Sequence, residues 1–321
     1  MAQHPGRARR VRTTAELQEQ LRVRRLQLDE ANARINARSG RNLLPAIIVG
    51  LLLGAALLTS LLVEKRFFLV VAVVLVGFAA FELAGALRAG GMRVPRVGSA
   101  VAGVLAQPFA YAAMVPVAGA TRPDPVAPQG WLLTLLGAVL LAGAWRLAQI
   151  PRHPAPPRAL GRDLVATAFV QLYVTGLGTC ASVLTAQPGG QWWTLSFVVV
   201  VVATDLFAYV SGLTFGKHPM APRISPKKTW EGFAGSAIAA IAAATILAPL
   251  VLDEPIWFGP VFGAVVLLAG TLGDLGESMI KRDVGIKDIS GWLPGHGGFL
   301  DRIDSILPAA ASALLLLFLA R

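Results

Sequence analysis

The chain has 321 residues, 55% hydrophobic and only 15% charged, with a mean hydropathy of +0.62 and a formal charge of +11. A soluble domain of this size carries roughly 25% charged residues and interrupts its apolar runs far more often, so an ordinary soluble core is excluded. Several apolar runs exceed about 18 residues, enough to cross a ~30 Å hydrocarbon layer as a helix, and the chain reads as an all-α integral membrane protein.

In a soluble protein the positive charge would suggest nucleic acid. Here most Lys and Arg cluster between apolar runs, where they reflect topology and anionic headgroups, so no nucleic-acid partner is expected. The lone Cys180 lies in an apolar run, which leaves no intramolecular disulfide and no cysteine metal cluster.

Residues 1–42 hold ten Arg and four acidic residues and read as a basic cytoplasmic extension, solvated or lying on the membrane surface. So long a polar start argues against a cleaved signal peptide. Nine spans are expected in the membrane domain 43–321, near Leu44–Val63, Phe67–Leu87, Val97–Val117, Trp131–Gln149, Leu164–Leu184, Thr194–Phe215, Phe233–Val251, Trp257–Leu275 and Ile303–Ala320. The segment 1–42 and the connections near 88–96, 151–163, 216–232 and 276–302 hold nearly all the Lys and Arg. The alternate connections hold Lys65, Arg66 and Arg122, then only Asp253 and Glu254. That alternation places the N-terminus in the cytoplasm and the C-terminus on the far side. Trp131, Trp192, Trp193 and Trp257 fall at far-side span ends and read as an interfacial belt. The proline-rich stretch Pro151–Pro157 resists helix and separates four plain spans from five that carry polar motifs.

Those motifs begin with Asp205, inside the sixth span. An ionisable group there costs several kcal/mol and is usually functional, the alternative being a structural Asp bonded to a neighbouring helix. Tyr209 and Gly212 follow at i+4 and i+7, giving one polar, open helix face.

The next connection contains Gly216-Lys217-His218 and then Ser225-Pro226-Lys227-Lys228-Thr229-Trp230-Glu231-Gly232. Ser225 and Pro226 suit the N-cap and first position of a helix, whose free N–H groups beside Lys227 and Lys228 would form an anion site.

The third stretch runs from Asp274 to Asp304. If it starts as a helix, Asp274, Glu277, Ser278 and Lys281 fall at i, i+3, i+4 and i+7 and share a face. The following Pro294-Gly295-His296-Gly297-Gly298 run can bring bare backbone N–H groups close to an anion. Asp301 and Asp304 lie a turn apart where the last apolar run begins. Carboxylates, cations and a glycine loop at a bilayer edge suggest metal-assisted phosphate chemistry on a lipid.

The run Ser278-x-Ile280-Lys281-Arg282-x4-Lys287-Asp288-x-Ser290-x2-Leu293-Pro294-x-His296-Gly297-Gly298-Phe299-x-Asp301-Arg302-Ile303-Asp304 resembles, without departure, the signature of the phosphatidate cytidylyltransferases, or CDP-diacylglycerol synthases. The upstream blocks are similar too, except that Leu213 stands where many members have a basic residue. The resemblance covers residues 40–321 and is strongest over 204–305.

It implies transfer of CMP from CTP to phosphatidic acid at the cytoplasmic face of the cell membrane, with release of pyrophosphate. It also implies Mg²⁺ on Asp274 and Asp301, with Glu277, Asp304 and Asp288 as candidates for a second ion or for positioning, and it raises a monovalent cation such as K⁺. Lys281, Arg282, Lys287, Arg302, Ser225, Lys227 and Lys228 would hold phosphates. Asp205, Tyr209, Lys217, Thr229, Glu231, Ser278, Gly297 and Gly298 complete the expected substrate site. His296 reads as a hydrogen-bonding residue, because a phosphate nucleophile is already ionised at neutral pH.

Two other classes are weighed: a CTP-dependent lipid-alcohol kinase of the polyprenol type, and an ion-coupled transporter using Asp205 and Asp274. The kinase would release CDP and would not need the full run from Lys287 to Asp304. The transporter would need paired polar breaks, and the first four spans offer only Glu82 as an obvious internal acid. A homodimer is admitted as an assembly.

Overall fold

The computed structural model describes residues 43–114, 128–151, 156–292 and 297–321, with side chains described from Gly50 onward. The basic extension 1–42 and the segment 293–296, which includes His296, lie outside the described residues.

The described chain is mostly helical. In order it forms α1 (Leu43–Leu62), α2 (Phe67–Ala89), α3 (Arg96–Ala112), α4 (Pro128–Ala148) and α5 (Pro157–Val170). A π-helical turn, Gln171–Gly176, joins α5 to α6 (Leu177–Ala186), and α7 (Gly190–Phe215) follows. A two-stranded antiparallel hairpin, β1 (Pro219–Ala221) with β2 (Ser225–Thr229), leads into α8 (Trp230–Leu247) and a second π turn at Ala248–Leu252. The chain closes with α9 (Phe258–Val284), the short α10 (Leu300–Ile303) and α11 (Ile306–Ala320).

Among the described residues seven helices are long and apolar enough to cross a bilayer: Phe67–Ala89, Gln129–Ala148, Pro157–Ala186, Gly190–Phe215, Trp230–Leu252, Phe258–Val284 and Leu300–Ala320. The first and third expected spans correspond to α1 and to the 17-residue α3. Large apolar side chains such as Leu133, Leu213, Leu250 and Leu319 point outward, as suits a hydrocarbon solvent.

With lipid as apolar as leucine, helices associate through small residues and buried polar links. On α8, a Cβ at Gly232 would stand 2.9 Å from the Ala208 carbonyl of α7, so these two backbones meet only because Gly232 has no side chain. On α9, a Cβ at Gly273 would press on Pro308 of α11 at 2.7 Å. The N-terminal spans add polar links to close glycine contacts such as Gly98 against Trp145. Gln171 donates to the Ser99 carbonyl (3.2 Å), Thr175 to Gln171 (2.9 Å) and Ser182 to Gln107 (2.8 Å), all buried. A buried ion pair, Arg146–Asp163 at 2.7 Å, joins α4 to α5, and Asp163 also accepts from the Arg93 amide.

Two expectations are corrected. Ser225 and Pro226 do not begin a helix: they open β2, with Ser225 opposite Ala221 and Pro219 opposite Thr229. Thr229 is the actual N-cap, its hydroxyl accepting from the Gly232 amide at 3.1 Å. Trp193 is not interfacial but 4% exposed, packed edge-on against Phe258 and Phe262 of α9.

Candidate active site

The polar residues gather where α7, α8 and α9 end together beside the hairpin. A cavity of about 310 Å³ opens there. Asp205 and Tyr209 of α7 line it, with Lys227, Lys228 and Thr229 from β2, Asp274 from α9 and Ser305 beyond α10. Helical spacing brings Asp205 and Tyr209 to one wall, as their i, i+4 separation requires.

The electrostatics are mixed by design of the fold. Asp205, Asp274 and Asp304 lie within reach of one another's charge and repel, while Lys228 and Arg302 offset Asp205. Lys228 Nζ meets Asp274 Oδ2 at 2.5 Å, with both side chains about a quarter to a third exposed (25% and 32%). Ser278 donates weakly to Asp274 at 3.4 Å, the i, i+4 contact expected from α9.

A second cluster sits further along α9. Lys281 Nζ lies 2.5 Å from Glu277 and 2.8 Å from Asp301 of α10. Asp301 also accepts from the Gly298 amide at 2.7 Å and, less closely, from Ile289 at 3.4 Å. Glu277 is fully buried, and its Oε1 has no hydrogen-bond partner in the protein. Asp274 and Lys281 are two turns apart on α9, about 10 Å along its axis. Of the four carboxylates expected to bind metal, Asp274 pairs with Lys228, Glu277 and Asp301 both meet Lys281, and Asp304 feels the charge of Asp274 and Asp205 as well as that of Lys281.

The remaining expected residues take three kinds of place. Glu231 accepts from the amides of Lys217 (3.1 Å) and His218 (3.2 Å) and meets the His218 ring at 2.5 Å, which pins the start of the hairpin to α8. Arg282 Nε donates to the Ile224 carbonyl at 3.2 Å and ties the hairpin to α9. Lys287 and Asp288 are exposed and lie off the cavity wall, as does Ser225. Gly297 has φ +81°, and a Cβ there would meet Asp301 Oδ2 at 2.7 Å. Its conformation and its neighbour both call for glycine.

Two residues not singled out as site residues also reach this region, Glu82 from a span read as plain and Tyr173 from the fifth span. Glu82 of α2 is 2% exposed and holds Ser290 and the Leu300 amide. Tyr173, on the first π turn, directs its hydroxyl to the Gly273 carbonyl at 3.5 Å. A buried acid inside an apolar helix was the available signal for Glu82. Nothing local marks Tyr173.

The donor set is wholly oxygen and suits Mg²⁺ in kind, since that ion keeps several waters and takes one or two carboxylates. Asp205 and Asp274, from two different helices, are both carboxylates of the cavity lining. Among the described residues no three His, Cys, Asp or Glu side chains converge as a ligand cluster.

An α-helical, multi-pass membrane protein with basic and acidic side chains around a cavity at the helix ends is thus the class defined by fold and site. The match to the cytidylyltransferase family spans residues 45–320, and the chain belongs to that family, an enzyme of the nucleotidyltransferase type. It is 35% identical over 291 residues to the phosphatidate cytidylyltransferase of Mycobacterium bovis, covering 88% of this chain and 90% of that protein. The phosphatidate cytidylyltransferase of Mycobacterium leprae is 34% identical over 292 residues, covering 88% and 89%. That of Brucella abortus is 45% identical over 132 residues, covering 41% and 48%.

Proposed function

We propose that the protein transfers CMP from CTP to phosphatidate, forming CDP-diacylglycerol and releasing pyrophosphate. The observation that carries this reading is one cavity among apolar helices whose lining brings together Lys227, Lys228, Asp205 and Asp274, with Lys228 paired to Asp274. The relatives, whose names state the phosphatidate activity, support it.

A phosphatidate phosphate oxygen attacks the α-phosphorus of CTP. The new P–O bond forms as the bond to the bridging oxygen breaks, and pyrophosphate takes the electron pair. No side chain need become covalently attached, because the lipid brings its own nucleophile. The obstacle is that both reactants are anions. Lys227 and Lys228 bind phosphate oxygens at the cavity, and Lys281, Arg282, Lys287 and Arg302 add positive charge around it. Mg²⁺, when bound, neutralises charge developing on the phosphates. Asp205 and Asp274 would hold it, with Asp304 behind them, and Glu277 and Asp301 are candidates for a second ion, which K⁺ could be.

The nine-span arrangement with a cytoplasmic N-terminus belongs to this reading, as do a cytoplasmic site and residence in the cell membrane. The site then meets CTP from the water side and lipid from the flank. Residues 43–321 form the catalytic membrane domain and 1–42 an extension, and a homodimer is compatible with it.

The test is purified protein with α-³²P-labelled CTP and phosphatidate, with and without Mg²⁺, following both products. Pyrophosphate and labelled lipid are expected. Labelled CDP in solution, with the γ-phosphate going to a lipid hydroxyl and no label in the lipid, would instead mark a kinase and overturn the reading.

A further inference from the structure

Glu82 stands out because it is an acid in the C-terminal third of α2, whose sequence is otherwise apolar from Phe67 to Leu87. It is 2% exposed, and both of its oxygens are used by a segment more than 200 residues away. Oε1 accepts from Ser290 Oγ at 2.5 Å and Oε2 from the Leu300 amide at 2.9 Å. Gly298 lies against the same carboxylate: a Cβ there would come within 2.7 Å of Oε2. One turn earlier on α2, Phe78 stacks on Phe299 (4.6 Å, 12° between planes) and meets Trp292 edge-on at 5.3 Å. Phe81 packs on Trp292 as well, at 5.5 Å. So α2 offers one polar and two aromatic grips, and all of them fall on residues 290–300.

That stretch leads directly into Asp301 and Arg302. Leu300 opens the short helix bearing Asp301 and Arg302, and the Gly298 amide donates to Asp301 Oδ2 at 2.7 Å. A carboxylate accepting from a buried amide and a hydroxyl fixes both in place, since an unmade bond at a buried donor is costly.

We infer that Glu82 is a positioning residue for the transfer reaction: it clamps Ser290 and Leu300 to α2 and so sets where Asp301, Lys281 and Arg302 stand. Glu82 itself touches no substrate. This rests on the proposed activity, and the test separates the two.

Wild type, Glu82→Ala, Glu82→Gln and Ser290→Ala are compared in detergent for kcat and KM and for amide hydrogen exchange over residues 297–302. Misplacement of catalytic groups by about 1 Å can cost ~100-fold in rate. Glu82→Ala is expected to lower kcat by ~10–100-fold, the range seen when supporting shells are removed, with KM for CTP nearly unchanged. Exchange at Leu300 should speed up at the same time. Glu82→Gln keeps an oxygen for the Leu300 amide and should recover part of both. Adding Ser290→Ala to Glu82→Ala should cost little more, because the two act through one contact. Wild-type kcat with wild-type exchange in Glu82→Ala overturns the inference. So does a rise in KM alone, or a glutamine variant no better than alanine. If wild-type protein makes no CDP-diacylglycerol, the activity reading fails, and the exchange comparison still decides the clamp.

Discussion

Lys228 and Asp274 illustrate how little of the site depends on any one residue type. Their 2.5 Å pair joins the hairpin to α9 across the cavity, and each is also a candidate to leave the other for a substrate or ion. Replacing Asp274 by Asn keeps the shape but removes the charge that faces Asp205. Folded protein in the membrane with at least ~100-fold lower Mg²⁺-dependent turnover is expected, a loss typical of misplaced or unneutralised charge. Labelled-CTP assays across a Mg²⁺ titration check it, and full activity would remove Asp274 from the metal assignment. Lys227→Ala should raise KM for CTP by ~10-fold or more, the worth of a charge-assisted hydrogen bond, and unchanged binding in equilibrium dialysis would count against its phosphate role. At this scale Asp205, Tyr209, Lys227, Lys228 and Asp274 were legible, because helical spacing and charge in an apolar setting both point to them. Glu82 was visible as an odd acid but not as a partner of Ser290, since no local rule links positions 208 apart.

The stretch from Gly216 to Gly232 shows where element-level reasoning meets competition. Ser225-Pro226 has the right chemistry for a helix start, yet pairing with Pro219–Ala221 carries the chain past it as a strand. Pro226 is tolerated because a two-stranded ribbon has free edges that ask for no donor. The cap moves to Thr229, so the start of α8 comes to lie at the cavity rather than four residues upstream. Glycine sets the other dimension. Gly232→Val would place its first carbon 2.9 Å from the Ala208 carbonyl and force α7 and α8 apart. Overpacking of this kind costs ~1–3 kcal/mol, and it should lower the melting temperature in detergent together with the affinity for CTP. A valine variant with unchanged melting and unchanged affinity would show that the α7–α8 approach is not what shapes the cavity. Gly232 was legible only as part of a motif, because its role lies in a neighbouring helix.

Across the whole molecule, the apolar runs and the loop charges were legible, since span length and the uneven spread of Lys and Arg are properties of the chain itself. The cross-helix links were not, as the buried Arg146–Asp163 pair and the burial of Trp193 demonstrate. Orientation follows from charge and is open to a direct check. The hairpin precedes α8, while Asp253 and Glu254 follow its terminal π turn, so they mark opposite ends of one span. The hairpin end carries Lys217, Arg223, Lys227 and Lys228, and the other carries two acids, and the positive-inside bias is the ground for proposing that the hairpin and the cavity face the cytoplasm. Cys180 is buried, so single cysteines introduced elsewhere are read against a quiet background. In intact spheroplasts an impermeant maleimide should label Glu254→Cys, and should reach Arg223→Cys only after permeabilisation. The reverse pattern would put the cavity on the side without CTP, and no rearrangement of side chains within it would then restore the proposed reaction.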